Sequence, residues 1–324
     1  MQSILITNGR LIDPANGVDR ITNLLLEGGQ VAAIDDSLES AEDVIDASGK
    51  IVAPGLIDMN VELREPGWEE DETIESGTAA ALAGGFTSIA SMPTSEPPVD
   101  TQGSVQYVRT RAREAANCNV FPLACVSKGR DGEELSEIGL LVEAGAAGFC
   151  DGGRPIRNAE LLRRALEYCR MFEKPVLNRP EIAEISHGGV MHEGLVSMVL
   201  GLSGLPAEAE DMMTARDLRL AESTGGRLHL LNISTAGSVE QLRRAKDRGA
   251  SVTADVSPQN FTLTDDQWRT FDTHYKVKPP LRSAEHLQAL IDGLKDGTID
   301  VIASSHAPRS AEKKFQDVNA AAYG

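Results

Sequence analysis

The pattern of apolar and polar residues changes near residue 50. Before that point, short apolar stretches alternate with Gly, Asn and Pro turn signals, which is typical of short strands joined by tight turns. The strand candidates are Ser3 to Thr7, Asn23 to Glu27, Gln30 to Ile34 and Asp43 to Asp46. We therefore predict that residues 1–50 form a separate N-terminal β layer.

After residue 50, apolar and β-branched runs alternate with longer stretches of helical spacing, as in parallel strands with crossover helices. In Asn158 to Phe172, for example, the apolar side chains share one helix face. The strand candidates are Gly55 to Met59, Ser88 to Met92, Asn119 to Val126, Ala147 to Cys150, Pro175 to Asn178, Leu228 to Ile233, Ser251 to Asp255 and Asp300 to Ala303. Eight such units predict an α/β fold, a (β/α)8 TIM-like barrel over residues 51–324, with Ser203 to Glu210 as its longest loop.

Composition narrows the functional classes. The 324 residues carry a formal net charge of -18, which repels phosphate backbones and anionic lipid, so we expect no nucleic-acid or membrane partner. The first residues resemble neither a signal peptide nor a spanning segment, so we expect a cytoplasmic protein. Four cysteines, Cys118, Cys125, Cys150 and Cys169, form no C-x-x-C pair and are predicted to be reduced core residues.

Polar motifs follow the predicted barrel strands, where a barrel places its chemistry. They are Pro54 to Gly67, Ser91 to Pro98, Lys128 to Leu135, Phe149 to Pro155, Gly188 to Gly194, Pro206 to Glu210, Ser234 to Ser238, Pro279 to Arg282 and His306 to Pro308. In sequence and order these stretches resemble the motifs of bacterial dihydroorotases, in the amidohydrolase superfamily. The resemblance extends nearly end to end. It implies that the N-terminal strands are half of a composite β-sandwich, and that the family continues past Gly324 into a last helix and further strands that we expect this chain to lack.

The resemblance also implies a catalytic zinc centre, and we map its ligands onto this chain. The corresponding positions are Asn60 and Glu62 after strand one, Asp151 after strand four, Arg179 after strand five, Asn232 after strand six and Ser305 after strand eight. Only Asp151 keeps the residue type of the family. A permanently charged guanidinium among the ligands repels a divalent cation, so we predict that no zinc is bound. We further expect Arg179 to bridge Glu62 or Asp151.

The substrate-binding positions implied by the resemblance are altered as well. Arg64 matches the family's contact to the dihydroorotate carboxylate, but Thr94, Lys278 and Arg309 stand where the family has other residues. From these differences we predict a non-catalytic dihydroorotase-like protein. It resembles the inactive chains that associate with aspartate carbamoyltransferase and support its assembly in pyrimidine (UMP) biosynthesis, which implies a homo- or hetero-oligomer.

Two other functions are consistent with the same residues. The first is an active cyclic-amide hydrolase, of the dihydroorotase or hydantoinase kind, with an unusual or metal-free site that uses Arg64, Asp151 and His306. The second is a module that binds a small anion or a nucleotide in the Arg- and Lys-lined opening of the barrel. Bound metal or turnover would indicate the first, and thermal stabilisation by orotate or nucleotides would indicate the second.

Overall fold

The chain divides into two compact units, and the division lies between Leu56 and Ile57. The structure is a computed structural model in which residues 3–324 are described. The first unit contains a small β-sheet and the second a parallel barrel surrounded by helices. Within the described residues, no helix is long and apolar enough to cross a membrane.

The N-terminal unit is a five-stranded sheet. Its strands are β1 Ser3–Asp13, β2 Val18–Glu27, β3 Gln30–Ile34, β4 Asp43–Asp46 and β5 Ile51–Val52. Their order is β3-β2-β1-β4. The short strand β5 also pairs with β1, at Arg10 and Leu11, which lie further along β1 than the residues that pair with β4. The first two strands are longer than predicted because a tight turn joins them: the Asp13 carboxylate accepts from the Asn16 amide, and Gly17 adopts a φ of 65°.

The second unit is built on eight parallel strands that close almost completely into a barrel. Its strands, with one outlying pair, are β6 Leu56–Val61, β7 Phe86–Ser91, β8 Asn119–Ala124, β9 Gly148–Phe149, β10 Val176–Asn178, β11 Met191–His192, β12 Gly204–Leu205, β13 Leu228–Leu230, β14 Val252–Val256 and β15 Val301–Ile302. The barrel order is β6-β7-β8-β9-β10-β13-β14-β15, and a parallel bridge between Val61 and His306 joins the two ends. The predicted fold class is therefore confirmed, and each of the eight predicted strands overlaps an observed one.

Helices connect the strands. They are α1 Ile74–Ala83, α2 Gln102–Ala115, α3 Ile138–Ala144, α4 Ala159–Met171, α5 Ala183–Ser186, α6 Leu195–Leu200, α7 Glu208–Thr224, α8 Ala236–Asp247, α9 Pro258–Thr262, α10 Ala284–Lys295 and α11 Ala311–Lys314. Helix α4 confirms the prediction from spacing: the Asn158 side chain caps its first turn, and its apolar face is fully buried.

The segment Ser203 to Glu210 is not the loop that we predicted. Gly204 and Leu205 form β12, which pairs in parallel with β11, and α7 begins at Glu208. Sequence periodicity missed β12 because a two-residue strand carries no alternation. Gly204 makes this pairing possible, since a Cβ atom there would lie 2.5 Å from the Cα atom of Glu193.

The barrel interior is filled by a small apolar cluster below the carboxyl ends of the strands. Its buried members are Met92, Leu123, Cys150, Leu177 and Leu231. The predicted role of the cysteines is confirmed for Cys125, Cys150 and Cys169, which are free and buried, while Cys118 is only half-buried. The carboxyl end of the barrel, next to this cluster, holds the cavity described next.

Candidate functional site

A cavity of about 350 Å³ lies at the carboxyl ends of the barrel strands. Nine of the ten positions mapped from the family's zinc and substrate sites line it, all within the described part of the chain: Asn60, Glu62, Arg64, Thr94, Arg179, Asn232, Lys278, Ser305 and Arg309. The tenth, Asp151, is buried outside the lining. Two members of the apolar cluster in the barrel interior, Met92 and Leu231, also line the cavity. Its size suits a small ring or a short acyclic molecule.

The charge of the cavity is opposite to that of the whole chain. Among its described lining residues five are basic, Arg64, Arg130, Arg179, Lys278 and Arg309, whereas Glu62 is the one acidic residue. Burial lowers the pKa of Lys278, and the nearby Arg179 lowers it further. An excess of positive charge in a half-enclosed space attracts anions, even though the chain as a whole carries -18.

Arg64 and Glu62 form an ion pair at the edge of the cavity. Both residues follow β6, and an Nη1 atom of Arg64 contacts an Oε2 atom of Glu62. The Arg64 Nε atom donates to the Pro308 carbonyl at 3.2 Å, which fixes the guanidinium against the loop after β15. The Arg64 side chain is 5% exposed, and burial lowers its pKa. This pair holds one carboxylate and one guanidinium in fixed positions beside the open space.

Arg179 does not bridge Glu62 or Asp151, as we had expected. It pairs instead with Glu181, two residues further along the chain, at 3.3 Å between Nη2 and Oε2. The same carboxylate accepts from Lys278 Nζ at 2.8 Å. Burial raises the pKa of Glu181, but its two basic neighbours outweigh burial and hold the pKa below its usual value. Arg179 therefore pairs with a carboxylate two residues away, and Glu62 and Asp151 have other partners.

Asp151 is a structural anchor for two neighbouring strands. Its Oδ1 atom accepts from the backbone amides of Val126 at 2.9 Å and Ser127 at 3.1 Å. Its Oδ2 atom accepts from the Ser127 hydroxyl at 2.6 Å. Burial raises the pKa of Asp151. Because these contacts occupy both carboxylate oxygens, Asp151 ties the ends of β8 and β9 together and does not face the cavity.

The residues at the positions of the family's zinc ligands do not fit a zinc ion. The Nδ2 atom of Asn60 donates to the Oδ1 atom of Asn232 at 2.6 Å, so the two side chains are hydrogen-bonded to each other. Glu62 is bound to Arg64, and the guanidinium of Arg179 enters the same space. Within residues 3–324, no group of three or more His, Cys, Asp or Glu side chains has the arrangement of a metal site.

Three buried nitrogen atoms in the cavity wall have no hydrogen-bond partner. They are Arg64 Nη2, Arg179 Nε and Asn232 Nδ2. A buried donor without an acceptor costs about 1–3 kcal/mol, so such donors persist where a ligand supplies the acceptor. Arg64, Asn232, Arg130 and Ser305 also adopt positive φ values of 52° to 61°, a strained conformation that is concentrated at functional sites. Both features mark this end of the barrel as the candidate functional site.

His306 does not face the cavity. Its Nε2 atom lies 2.7 Å from the Glu72 Oε2 atom, and its backbone carbonyl accepts from the Glu62 amide beside β6. The hydrolase alternative therefore loses His306 as its base, and it also loses Asp151 to the anchoring role. Sequence reasoning missed Arg130, although it lies within the motif Lys128 to Leu135 that follows strand three. It also missed Tyr323, for which no sequence signal exists.

Comparison with known proteins places these features in a family context. The protein-family profile "Dihydro-orotase-like" matches residues 49–238. The "Putative dihydroorotase" of Rhodopirellula baltica is 50% identical over 323 residues, which are 99% of this chain and 71% of that protein. The "Dihydroorotase" of Pelobacter propionicus is 49% identical over 324 residues, 99% of this chain and 76% of that one. Among solved structures, the "L-Hydantoinase (Dihydropyrimidinase) from Arthrobacter aurescens" has a TM-score of 0.86 at 26% identity, covering 100% of this chain and 74% of that one.

These relatives contradict the prediction of a non-catalytic chain. Their alignments cover 99% to 100% of this chain, and they carry the names of hydrolytic enzymes. The error was to infer an inactive protein from the residues at the zinc-ligand positions alone, although the cavity keeps a carboxylate and several basic side chains. Association with aspartate carbamoyltransferase stays a prediction.

Proposed function

Because the chain belongs to the dihydroorotase-like family, we propose that it is a cyclic-amide hydrolase that acts on an anionic ring such as dihydroorotate. The observation that supports this proposal is the cavity at the carboxyl ends of the strands, where five basic side chains surround the single acidic lining residue among those described, Glu62. This position is where barrel enzymes carry out their chemistry.

The substrate carboxylate binds at Arg64. The guanidinium of Arg64 lines the cavity, is fixed by the Pro308 carbonyl, and has a buried Nη2 atom without a hydrogen-bond partner. Arg309 also lines this side of the cavity and adds a second positive charge. A planar guanidinium recognises a carboxylate through parallel hydrogen bonds, which fixes the orientation of the ring as well as its position.

Glu62 is the proposed general base. It removes a proton from a water molecule, whose oxygen then forms a bond to the carbon of the ring amide. The carbonyl oxygen gains negative charge, and Arg179 and Lys278 stabilise that charge. The bond between this carbon and the ring nitrogen then breaks, and the proton held by Glu62 passes to the departing nitrogen. The product is an open chain with a new carboxylic acid, which releases the second proton of the water molecule to solvent and becomes a carboxylate. No step requires a zinc ion, which the lining residues do not fit.

Steady-state kinetics with dihydroorotate test this proposal. We expect Glu62→Gln to lower kcat by about 10²- to 10⁴-fold with little change in KM, because it removes the base and keeps the shape. Arg64→Met should mainly raise KM. The matched control is Glu167→Gln, an exposed residue of α4, which should leave both constants unchanged. An unchanged kcat in Glu62→Gln, or the absence of turnover by the unmodified chain, would refute the proposal.

A further inference from the structure

A buried carboxylate connects the segment after β6 to two helices outside the barrel. Glu65 directly follows Arg64, is 6% exposed and is not among the residues that line the cavity. Its Oε2 atom accepts from the amide of Ile74, the first residue of α1, at 2.8 Å. Its Oε1 atom accepts from the Tyr107 hydroxyl and from Arg111 Nε of α2, both at 2.9 Å. Three donors from two helices thus hold one side chain of this segment.

The contacts of Glu65 are those of an ionised carboxylate. Burial raises the pKa of Glu65, but the hydrogen bonds from the Ile74 amide, Arg111 and Tyr107 outweigh burial and hold the pKa below its usual value. The charge lies beside the first turn of α1, where the helix dipole favours a negative group. Tyr107 and Arg111 are four residues apart in α2 and therefore share one face of that helix. The carboxylate is held both by charge and by the geometry of its donors.

The segment that contains Glu65 has a backbone conformation that needs support. Arg64 has a φ of 61°, a left-handed conformation that side chains other than glycine adopt only where surrounding contacts enforce it. The Arg64 carbonyl accepts from the Trp68 amide at 3.1 Å, and Trp68 also lines the cavity. Between them, a Cβ atom added at Gly67 would lie 2.6 Å from the Glu96 carbonyl oxygen, so this segment packs closely against the one after β7. Releasing Glu65 would therefore displace the cavity residues on either side of it.

We propose that Glu65 is a positioning residue, which holds Arg64, and through it Glu62, in place from outside the cavity. Glu62 is paired with Arg64, so a movement of the guanidinium leaves the carboxylate free to turn. Glu65 acts only through the backbone of the segment after β6. The inference rests on the proposed function in its kinetic consequence alone, because Glu62 and Arg64 are the residues to which that proposal gives the chemistry.

Glutamine at position 65 tests this role because it cannot make the same contacts. Its amide has one acceptor oxygen and one NH2 donor group, whereas Glu65 accepts from three donors through two oxygens. Tyr107→Phe and Arg111→Met each remove one of these donors and keep Glu65, so they test the same contact if Glu65→Gln does not fold. Glu114→Gln is the matched control, since Glu114 accepts from the same Arg111 side chain but is 59% exposed.

Fluorine magnetic resonance of the chain labelled with 5-fluorotryptophan reports the position of the segment without any substrate. The chain has two tryptophans, Trp68 in this segment and Trp268 in a separate buried cluster. Trp68→Phe assigns the two resonances. We expect Glu65→Gln to shift the Trp68 resonance by more than its linewidth and Arg111→Met to shift it less. The Trp268 resonance should stay in place in both variants, and both resonances should stay in place in Glu114→Gln.

Two results of the resonance experiment would overturn the proposal. One is an unshifted Trp68 resonance in Glu65→Gln or, if that variant does not fold, in both Tyr107→Phe and Arg111→Met. The other is an equal shift of the Trp68 and Trp268 resonances, which would indicate a general loosening of the fold.

Steady-state kinetics measure the consequence for the reaction, at a temperature where circular dichroism shows each variant to be folded. We expect Glu65→Gln to lower kcat/KM for dihydroorotate by about tenfold or more, because a small displacement of positioned groups can cost up to about 10² in rate. Adding Arg111→Met to Glu65→Gln should lower kcat/KM no further, since both changes break the same contact. Glu114→Gln should leave kcat/KM unchanged.

An unchanged kcat/KM in Glu65→Gln, or fully additive effects of the two changes, would overturn the proposal. If the unmodified chain shows no turnover, the proposed function is refuted, and the Trp68 resonance still decides whether Glu65 positions this segment.

Discussion

Replacing Asp151 with alanine should destabilise the barrel itself. The carboxylate is 2% exposed and accepts from the Val126 amide, the Ser127 amide and the Ser127 hydroxyl. Alanine would leave two buried backbone N–H groups without an acceptor, at about 1–3 kcal/mol each. The hydroxyl can turn to another acceptor and adds less. We therefore expect the free energy of unfolding to fall by about 3–5 kcal/mol.

Asp151→Asn separates hydrogen bonding from charge. The amide oxygen can still accept from both backbone N–H groups, and the amide nitrogen can donate to the Ser127 hydroxyl oxygen. We expect a loss of only about 1 kcal/mol for this variant. Asp131→Ala is the control, because the Asp131 side chain is 69% exposed in its ion pair with Arg154 and its removal should change stability by less than about 0.5 kcal/mol.

The assay is urea unfolding at pH 7 followed by circular dichroism, in buffer with a metal chelator and in buffer with added zinc. An anchoring role predicts the same loss in both buffers. The reasoning is refuted if Asp151→Ala loses less than about 1 kcal/mol, or if its deficit appears only with zinc present, since the latter result is expected of a metal ligand.

Two further predictions concern strand β12 and the dependence of stability on pH. In thermal unfolding, Gly204→Ala should lower stability by about 2–3 kcal/mol, because the added Cβ atom would lie 2.5 Å from the Cα atom of Glu193. The control is Gly103→Ala, whose added Cβ atom would meet nothing closer than 4.0 Å and which should not lower stability in this way. Burial, together with Arg282 and His286, lowers the pKa of His192 to about 4 from 6.5. The unfolded chain then binds more protons between pH 4 and 6.5, so stability should rise with pH across that window, by about 2–3 kcal/mol, and His192→Gln should flatten the rise in urea unfolding.

The fold was predictable because its signals repeat. Eight buried runs separated by helical stretches specify a parallel barrel, and the carboxyl ends of parallel strands must converge. For that reason nine positions chosen from the sequence meet at one cavity. Helix α4 was predictable to the residue, since Asn158 caps it and its apolar stripe is continuous. The two-residue strands β11 and β12 were not, because they depend on a close approach at Gly204.

The contacts that the cavity side chains make were less predictable than the set of residues that line the cavity. Arg179 was expected to satisfy a distant carboxylate, yet Glu181 lies nearer and accepts from it. The hydrolase alternative used His306 as a site residue, but its ring contacts Glu72. Both outcomes depend on side-chain rotamers and on loop paths, which a linear motif does not encode. Motif positions therefore identify a site more reliably than they identify its hydrogen bonds.

The step from residues to activity was the weakest part of the prediction. The set of residues at the ligand positions argues against zinc, but it does not exclude other groups in the same cavity from acting on a substrate. The names of the relatives contradict the inactive assignment and favour hydrolysis. Glu62, Arg64 and Arg179 are the residues on which a metal-free account depends.

Ring opening of dihydroorotate by the purified, unmodified chain tests the central claim most directly. The reaction is run in buffer with a metal chelator, and the open-chain product is detected by nuclear magnetic resonance. We expect product to form at a rate proportional to the concentration of the chain, and Glu62→Gln to reduce that rate about 10²-fold or more. Product formation no faster than in buffer alone would contradict the claim that this cavity catalyses hydrolysis of a cyclic amide.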